Sequence, residues 1–271
     1  MRTLSLLLAT AAVAAVAATP VVTNAGTDGE PLPPYAATPE EAVIRPGAGM
    51  IEPGGDIGDL PMTELDAYCT YNWLFHEMVE PDPETGEIPT PRAYIGTAAH
   101  CTDAVGERVA TFGEGADEGF GNVVYDSDDI GSLVDFSLIE IDADKVGLAH
   151  PQMFGVVAPT GFVDRGELAV GDILRQSGYG LVLGQNDLTR EGRYGVVTKV
   201  NDDEYVAQTM AQLGDSGSPF SLADDGRAVG IVSRYGFDQM PPSTDVGPLI
   251  PWILEHLTDA GFDVALSTVD G

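Results

Sequence analysis

Apolar and polar residues follow one another in three different ways along this chain. Behind Arg2, Leu4-Ser5-Leu6-Leu7-Leu8 leads into an Ala/Val-rich run ending at Ala18. A short basic start and an apolar run too brief for a comfortable membrane span predict a secretory signal peptide over residues 1–25, cut after Ala18 or Ala25; a single membrane anchor is the alternative. Residues 26–64 differ, with Pro31, Pro33, Pro34, Pro39, Pro46, Pro53 and Pro61 standing among glycines and few bulky apolar side chains. Such a stretch buries too little surface to offset its ordering entropy, so a flexible linker or short pro-segment is expected there. From residue 69 onward, short apolar runs are separated by Gly, Asp and Asn clusters.

These runs predict strands at Tyr94–Ala98, Leu133–Ile141, Gly155–Val157, Asp172–Leu174, Tyr194–Val200, Tyr205–Ala207 and Ala228–Ser233. Turns at Gly113-Glu114-Gly115 and Asn201-Asp202-Asp203 punctuate them. Pro81–Pro91 reads as an exposed loop. One helix is predicted, over residues 251–260: Pro251 suits its first turn, Trp252, Ile253 and Leu257 form one buried stripe, and Gly261 follows its end. Many short strands with a single helix indicate an all-β barrel or sandwich, with residues 263–271 left as a tail.

Composition narrows the partners. Twelve basic against 43 acidic side chains give a formal charge of −31. Nucleic acid and a stable association with an anionic membrane are therefore not expected, since both require Lys and Arg against phosphate. So much acid makes a hydrated, self-repelling surface that serves solubility first, and also suits high salt or cationic substrates. A hydrophobic share of 44% in 271 residues is enough for a sizeable core. The two cysteines, Cys69 and Cys101, read as a disulfide in an exported chain; as a metal site they lack partners at ligand spacing, and no metal or cofactor is expected. Closing that loop contributes roughly 3–4 kcal/mol by chain entropy.

Three segments carry candidate chemistry. Thr97-Ala98-Ala99-His100-Cys101 places a histidine at a strand end, Val134-Asp135-Phe136-Ser137-Leu138-Ile139 sets a carboxylate in an apolar run, and Gly214-Asp215-Ser216-Gly217-Ser218-Pro219 presents a serine in a glycine-rich turn. Taken singly, these are a structural histidine, a solvated edge residue and an ordinary turn. Taken together and in this order, they resemble the chymotrypsin/trypsin-like serine peptidases over about residues 65–262. The order His, Asp, Ser separates them from subtilisin-like and α/β-hydrolase chains, and Ser218 breaks the nucleophile-elbow pattern. Ser218 also stands where the family usually has a second glycine.

The resemblance implies two antiparallel six-stranded β-barrels, about residues 65–155 and 156–250, closed by the C-terminal helix. It implies a secreted, monomeric endopeptidase acting on protein or peptide substrates. Ser216 would be the nucleophile, His100 its base, and Asp135 the group that fixes the imidazole; Asp103, Asp126, Asp128 and Asp129 lie in polar stretches and suit that buried role less well. The N–H groups of Gly214 and Ser216 would form the oxyanion hole. Asp215 would hold the turn by an ion pair with Arg175 or Arg193, because no Ile-Val-Gly-Gly-like activation site stands near residue 65. The primary pocket would be walled by Met210, Ala211 and Leu213 on one side and Ser233, Arg234 and Tyr235 on the other. With Met210 where trypsin-like enzymes keep an acid, apolar rather than basic specificity is expected.

Two other functions fit the same residues: a binding or adhesion protein on this scaffold, and an esterase-like acyl hydrolase. Asp126-Ser127-Asp128-Asp129 resembles the start of a calcium loop, but Ile130 and the lack of a closing Glu break the pattern. His76, His150 and His256 read as surface or structural.

Overall fold

A computed structural model describes residues 33–51, 53–54, 69–128, 131, 134–156, 158–180, 192–236 and 243–268. The signal peptide, Asp129, Ile130, Leu133 and Val157 lie outside the described residues.

The first seven strands are β1 (Gly49–Ile51), β2 (Cys69–Thr70), β3 (Leu74–Glu77), β4 (Ala93–Thr97), β5 (Arg108–Thr111), β6 (Gly121–Asp126) and β7 (Ser137–Ile141). The next seven are β8 (Ile173–Gln176), β9 (Arg193–Val200), β10 (Glu204–Thr209), β11 (Pro219–Leu222), β12 (Ala228–Ile231), β13 (Arg234–Gly236) and β14 (Ser243–Pro248), followed by helix α1 (Ile250–Asp259) and β15 (Val264–Leu266). They form two antiparallel sheets, ordered β15-β3-β4-β7-β6-β5-β1-β2 and β12-β11-β8-β9-β10-β14-β13. This is the expected pair of antiparallel barrel-like sheets with a C-terminal helix; among the described residues the sheets have eight and seven strands by hydrogen bonding, where six in each were expected.

Each sheet closes on its own core: Tyr71, Ile95, Val109, Phe120 and Ile139 in the first, Leu174, Tyr205, Phe220 and Val229 in the second. A third cluster joins them, with Trp73, Phe75, Tyr94 and Phe136 from the first sheet meeting Ala228 and Ile231 from the second and Ile250, Ile253 and Leu257 from the helix. Trp73 Nε1 donates to Gly230 O at 3.1 Å across this seam. The fully buried helical stripe is Ile250, Ile253 and Leu257, at i, i+3, i+7 spacing; Trp252 is half-buried and packs at the margin of the same cluster. The predicted Asn201–Asp203 turn works through the Asn201 side chain, which accepts the N–H groups of Asp203 and Glu204 at 2.8 Å.

Four expectations need correction. Residues 33–51, inside the expected flexible linker, are packed: Ile44 is wholly buried, Tyr35 and Met50 join the first core, and β1 pairs with both β2 and β5. Their few apolar side chains are diluted by proline in the composition, yet Tyr35, Ile44, Met50 and Ile51 are all buried. The expected tail supplies β15, which pairs with β3. No strand runs through Gly155 and Val156, which lie in a turn with Val156 N–H donating to Met153 O. Finally, β7 starts at Ser137 rather than near residue 133, because Asp135 takes a left-handed φ of 48° that interrupts the ladder.

Candidate active site

His100 sits on a short 3₁₀ turn, Ala99–Cys101, at the end of β4. Asp135 precedes β7, which pairs with β4 so that Thr97 faces Ser137. That register brings the two side chains together: His100 Nδ1 lies 3.1 Å from both carboxylate oxygens of Asp135, and the His100 backbone N–H donates to Oδ1 at 3.2 Å. Ser233, buried just before β13, donates its hydroxyl to the Oδ2 of Asp135. Asp135 is the one non-glycine residue with positive φ among those described. A residue so placed costs about 1–3 kcal/mol and is held by its surroundings.

The electrostatics follow from this contact. The hydrogen bond to Asp135 raises the His100 pKa above its ordinary 6.5, against partial burial and with help from the charges of Asp135 and Asp128. Burial pushes the Asp135 carboxyl upward, but the hydrogen bonds and charge of His100, with Ser233, leave it below its ordinary value. The disulfide Cys69–Cys101 is formed, with Cα atoms 6.0 Å apart, and its sulfurs lie within 4.8 Å of a His100 ring nitrogen.

The Ser216 turn packs onto the strand ends that carry His100. Thr70 on β2 donates its N–H to Ser216 O and its hydroxyl to Gly214 O, both at 2.8 Å. Gly217, at φ +86°, sits so close to Thr70 O and Thr97 Oγ1 that a Cβ would overlap both. Cys101 Sγ is 3.9 Å from Ser216 O, so the residue after His100 touches the turn directly. Within the turn, Asp215, Gly217 and Ser218 spend their N–H groups on Gln212, Val232 and Asp215 carbonyls. The N–H groups of Gly214 and Ser216 donate to no acceptor among the described residues.

Asp215 points inward and is fully buried. Arg193 is its partner, with Nη2 at 2.6 Å from Oδ1 and Nη1 on Oδ2, and the pair is buried on both sides. Gly180 N–H and Gln212 N–H add hydrogen bonds at 2.8 Å. Arg175 instead stacks over the Tyr194 ring at 5.5 Å. Gly178, unremarked in the sequence, lets the pair exist: a Cβ there would collide with Ser218 Oγ and Asp215. Ser218 fits at the usual glycine position because Gly178 opposes it.

The expected pocket residues divide. Met210 and Leu213 are exposed at 53% and 50%, while Ala211 and Ser233 are buried. Arg234 turns away to pair with Glu204. Tyr235 is described by its backbone alone, on β13 at the sheet edge. Sequence reasoning passed over Asp245, wholly buried on β14 opposite Tyr235, whose Oδ2 accepts the Thr209 hydroxyl one residue before Met210. The other histidines are elsewhere: buried His76 bonds Ser267 Oγ at 3.1 Å, His150 accepts Gln152 N–H at 3.0 Å, and His256 reaches Trp252 O at 3.0 Å.

No protein-family model and no curated protein matches the chain. Solved structures do. Protease A of Thermobifida fusca aligns at 19% identity over 84% of this chain and 99% of its own, with a TM-score of 0.52. A Nocardiopsis protease gives 15% identity over 84% and 100%, with a TM-score of 0.55. A chymotrypsin from Cellulomonas bogoriensis gives 16% over 85% and 100%, with a TM-score of 0.50. The chain has the chymotrypsin-like fold. At 15–19% identity the likeness is one of fold. The chymotrypsin-like arrangement accounts for the two sheets and the C-terminal helix.

Proposed function

We propose that this chain is a serine endopeptidase, exported from the cell, that hydrolyses peptide bonds through an acyl-enzyme. The observation that carries the reading is the His100–Asp135 pair, a half-exposed imidazole held by a mostly buried carboxylate on the strand ends against which the Ser216 turn packs. A serine hydroxyl needs a base at neutral pH. His100 takes the Ser216 proton as Oγ attacks the carbonyl carbon, then returns it to the leaving amine; Asp135 keeps Nδ1 protonated and balances the imidazolium. Water, deprotonated by the same base, then cleaves the acyl-enzyme. The uncommitted N–H groups of Gly214 and Ser216 suit the developing oxyanion, each contributing about 3–4 kcal/mol by analogy with measured deletions.

Substrate docks as an added strand on the open side of β13. Exposed Met210 and Leu213 favour an apolar side chain before the scissile bond. The buried Arg193–Asp215 pair supplies from within the chain the charge that other members of this fold take from a freed N-terminus, so activation needs no new N-terminal amine. The disulfide suits an oxidising compartment, and among the described residues no helix is long and apolar enough to cross a membrane.

Labelling with a fluorophosphonate tests the reading. An adduct on Ser216 supports the hydrolase, and an unlabelled protein returns the scaffold to a binding role. A peptide-library digest of the labelled-competent protein then separates endopeptidase from esterase and reports the specificity: cleavage after Leu and Met is expected, and equal cleavage after Lys contradicts the apolar pocket.

A further inference from the structure

The acidic stretch that the catalytic reading leaves unused lies directly behind the His100–Asp135 pair. Asp126 ends β6 and pairs in register with Ser137; it and Ser127 are buried, at 3% and 0% exposure. Each makes a contact with a different catalytic loop. The carboxylate of Asp126 accepts the Thr102 hydroxyl at 2.6 Å, and Thr102 closes the 3₁₀ turn that carries His100. The same Thr102 oxygen lies 2.8 Å from Ser137 Oγ; with its one proton given to Asp126, it accepts there from Ser137, two residues after Asp135. Ser127 brackets Phe136, the next residue after Asp135: its N–H donates to Phe136 O at 3.1 Å and its Oγ accepts Phe136 N–H at 2.9 Å.

The second contact meets the particular demand of Asp135. Its left-handed φ takes the chain off the β7 ladder, so the following N–H has no strand partner and is met by a side chain instead. The first contact fixes the turn that presents His100. One dipeptide thus grips both loops from behind, and neither of its residues touches the imidazole.

We propose that Asp126 and Ser127 are positioning residues that together set the His100–Asp135 geometry, Asp126 through Thr102 and Ser127 through Phe136. The inference rests on the peptidase reading for its effect on turnover, but not for its effect on the imidazole. The charges of Asp135 and Asp128 both act to raise the His100 pKa. When the Phe136 clamp is lost, Asp135 relaxes toward ordinary backbone and its hydrogen bond to Nδ1 lengthens.

The test uses Ser127→Ala and Asp126→Asn in the full chain. The His100 ring is titrated by NMR in a Ser216→Ala background, which requires no activity. Both variants should lower the His100 titration point toward its ordinary value. In the Ser216 chain they should reduce kcat about 10–100-fold with KM little changed, the loss expected for sub-ångström misplacement of reacting groups. Combining Ser127→Ala with Asp135→Asn should add nothing further, since both act on one contact. Thr102→Val, at a half-exposed position, covers the case in which the buried variants fail to fold, and should move the titration the same way. An unchanged titration in any folded variant, or full additivity with Asp135→Asn, overturns the proposal. Absence of hydrolysis by the parent chain would remove the peptidase reading while leaving the NMR result to decide the positioning role.

Discussion

Replacing Arg193 with alanine isolates the internal ion pair. In the folded protein the Asp215 carboxylate is fully buried and accepts four hydrogen bonds, two from Arg193 and one each from Gly180 and Gln212 N–H. Arg193→Ala leaves the two backbone donors and takes away the only compensating charge among the described residues. Stranding one partner of a buried pair costs about 3–5 kcal/mol. With a urea m-value of about 2.5 kcal/mol/M, the unfolding midpoint falls by roughly 1–2 M. Arg193 also donates to Met210 O at 3.2 Å, so the segment leading to Gly214 loosens and kcat falls with stability. The companion Arg193→Met/Asp215→Asn removes both charges and should recover much of the stability, since paired deletion strands nothing. The assays are urea unfolding at pH 7 and steady-state hydrolysis on the same preparations. An Arg193→Ala midpoint within 0.3 M of the parent (about 0.8 kcal/mol at that m-value) would refute the reasoning.

Four further outcomes are expected. Activity needs neutral His100, and its pKa is raised, so turnover should be lost on acidification with a midpoint above 6.5; Asp135→Asn should move that midpoint down and cut kcat by about 10⁴, the loss typical of this change in a Ser-His-Asp triad, and a pH–rate profile checks both. By the same linkage, the stabilisation from charged His100 on Asp135 is fully present below pH 6.5 and fades as pH rises through the raised value, which a urea titration across neutral pH will read. Replacing Cys69 and Cys101 together with serine should cost about 2–5 kcal/mol, seen as a lowered thermal midpoint, and weaken the packing beside His100. Deleting residues 33–51 should abolish folding: burying Tyr35, Ile44, Met50 and Ile51 is worth on the order of 6–12 kcal/mol, comparable to the whole stability of a domain, and loss of near-UV dichroism would report it.

The parts of the site that were legible in the sequence are those whose chemistry is written in contiguous residues. The Thr97–Cys101 and Gly214–Pro219 segments need only their immediate neighbours to be recognised, and the strands at Tyr94, Tyr194 and Ala228 carry enough β-branched and aromatic residues to declare themselves. Arg193 was one of two candidates, because a partner that arrives on a distant strand has no local signature. The first 19 described residues were hidden for a different reason. Composition averages over a window, whereas Ile44 needs only one socket. Ser243–Pro248, with Asp245, Gly247 and Pro248, lacks strand chemistry and becomes a strand because β10 and β13 template it on both sides. The left-handed Asp135 was equally out of reach, since the clamp that holds it is Ser127, in a segment read only for its acids.

The central claim is that Ser216, His100 and Asp135 form one proton-transfer line. The most direct measurement compares the purified chain with its Ser216→Ala variant on a denatured protein substrate, with fragments read by mass spectrometry. Cleavage by the first and none above background by the second is the predicted result. Equal fragmentation by both, or none by either folded protein, contradicts the claim.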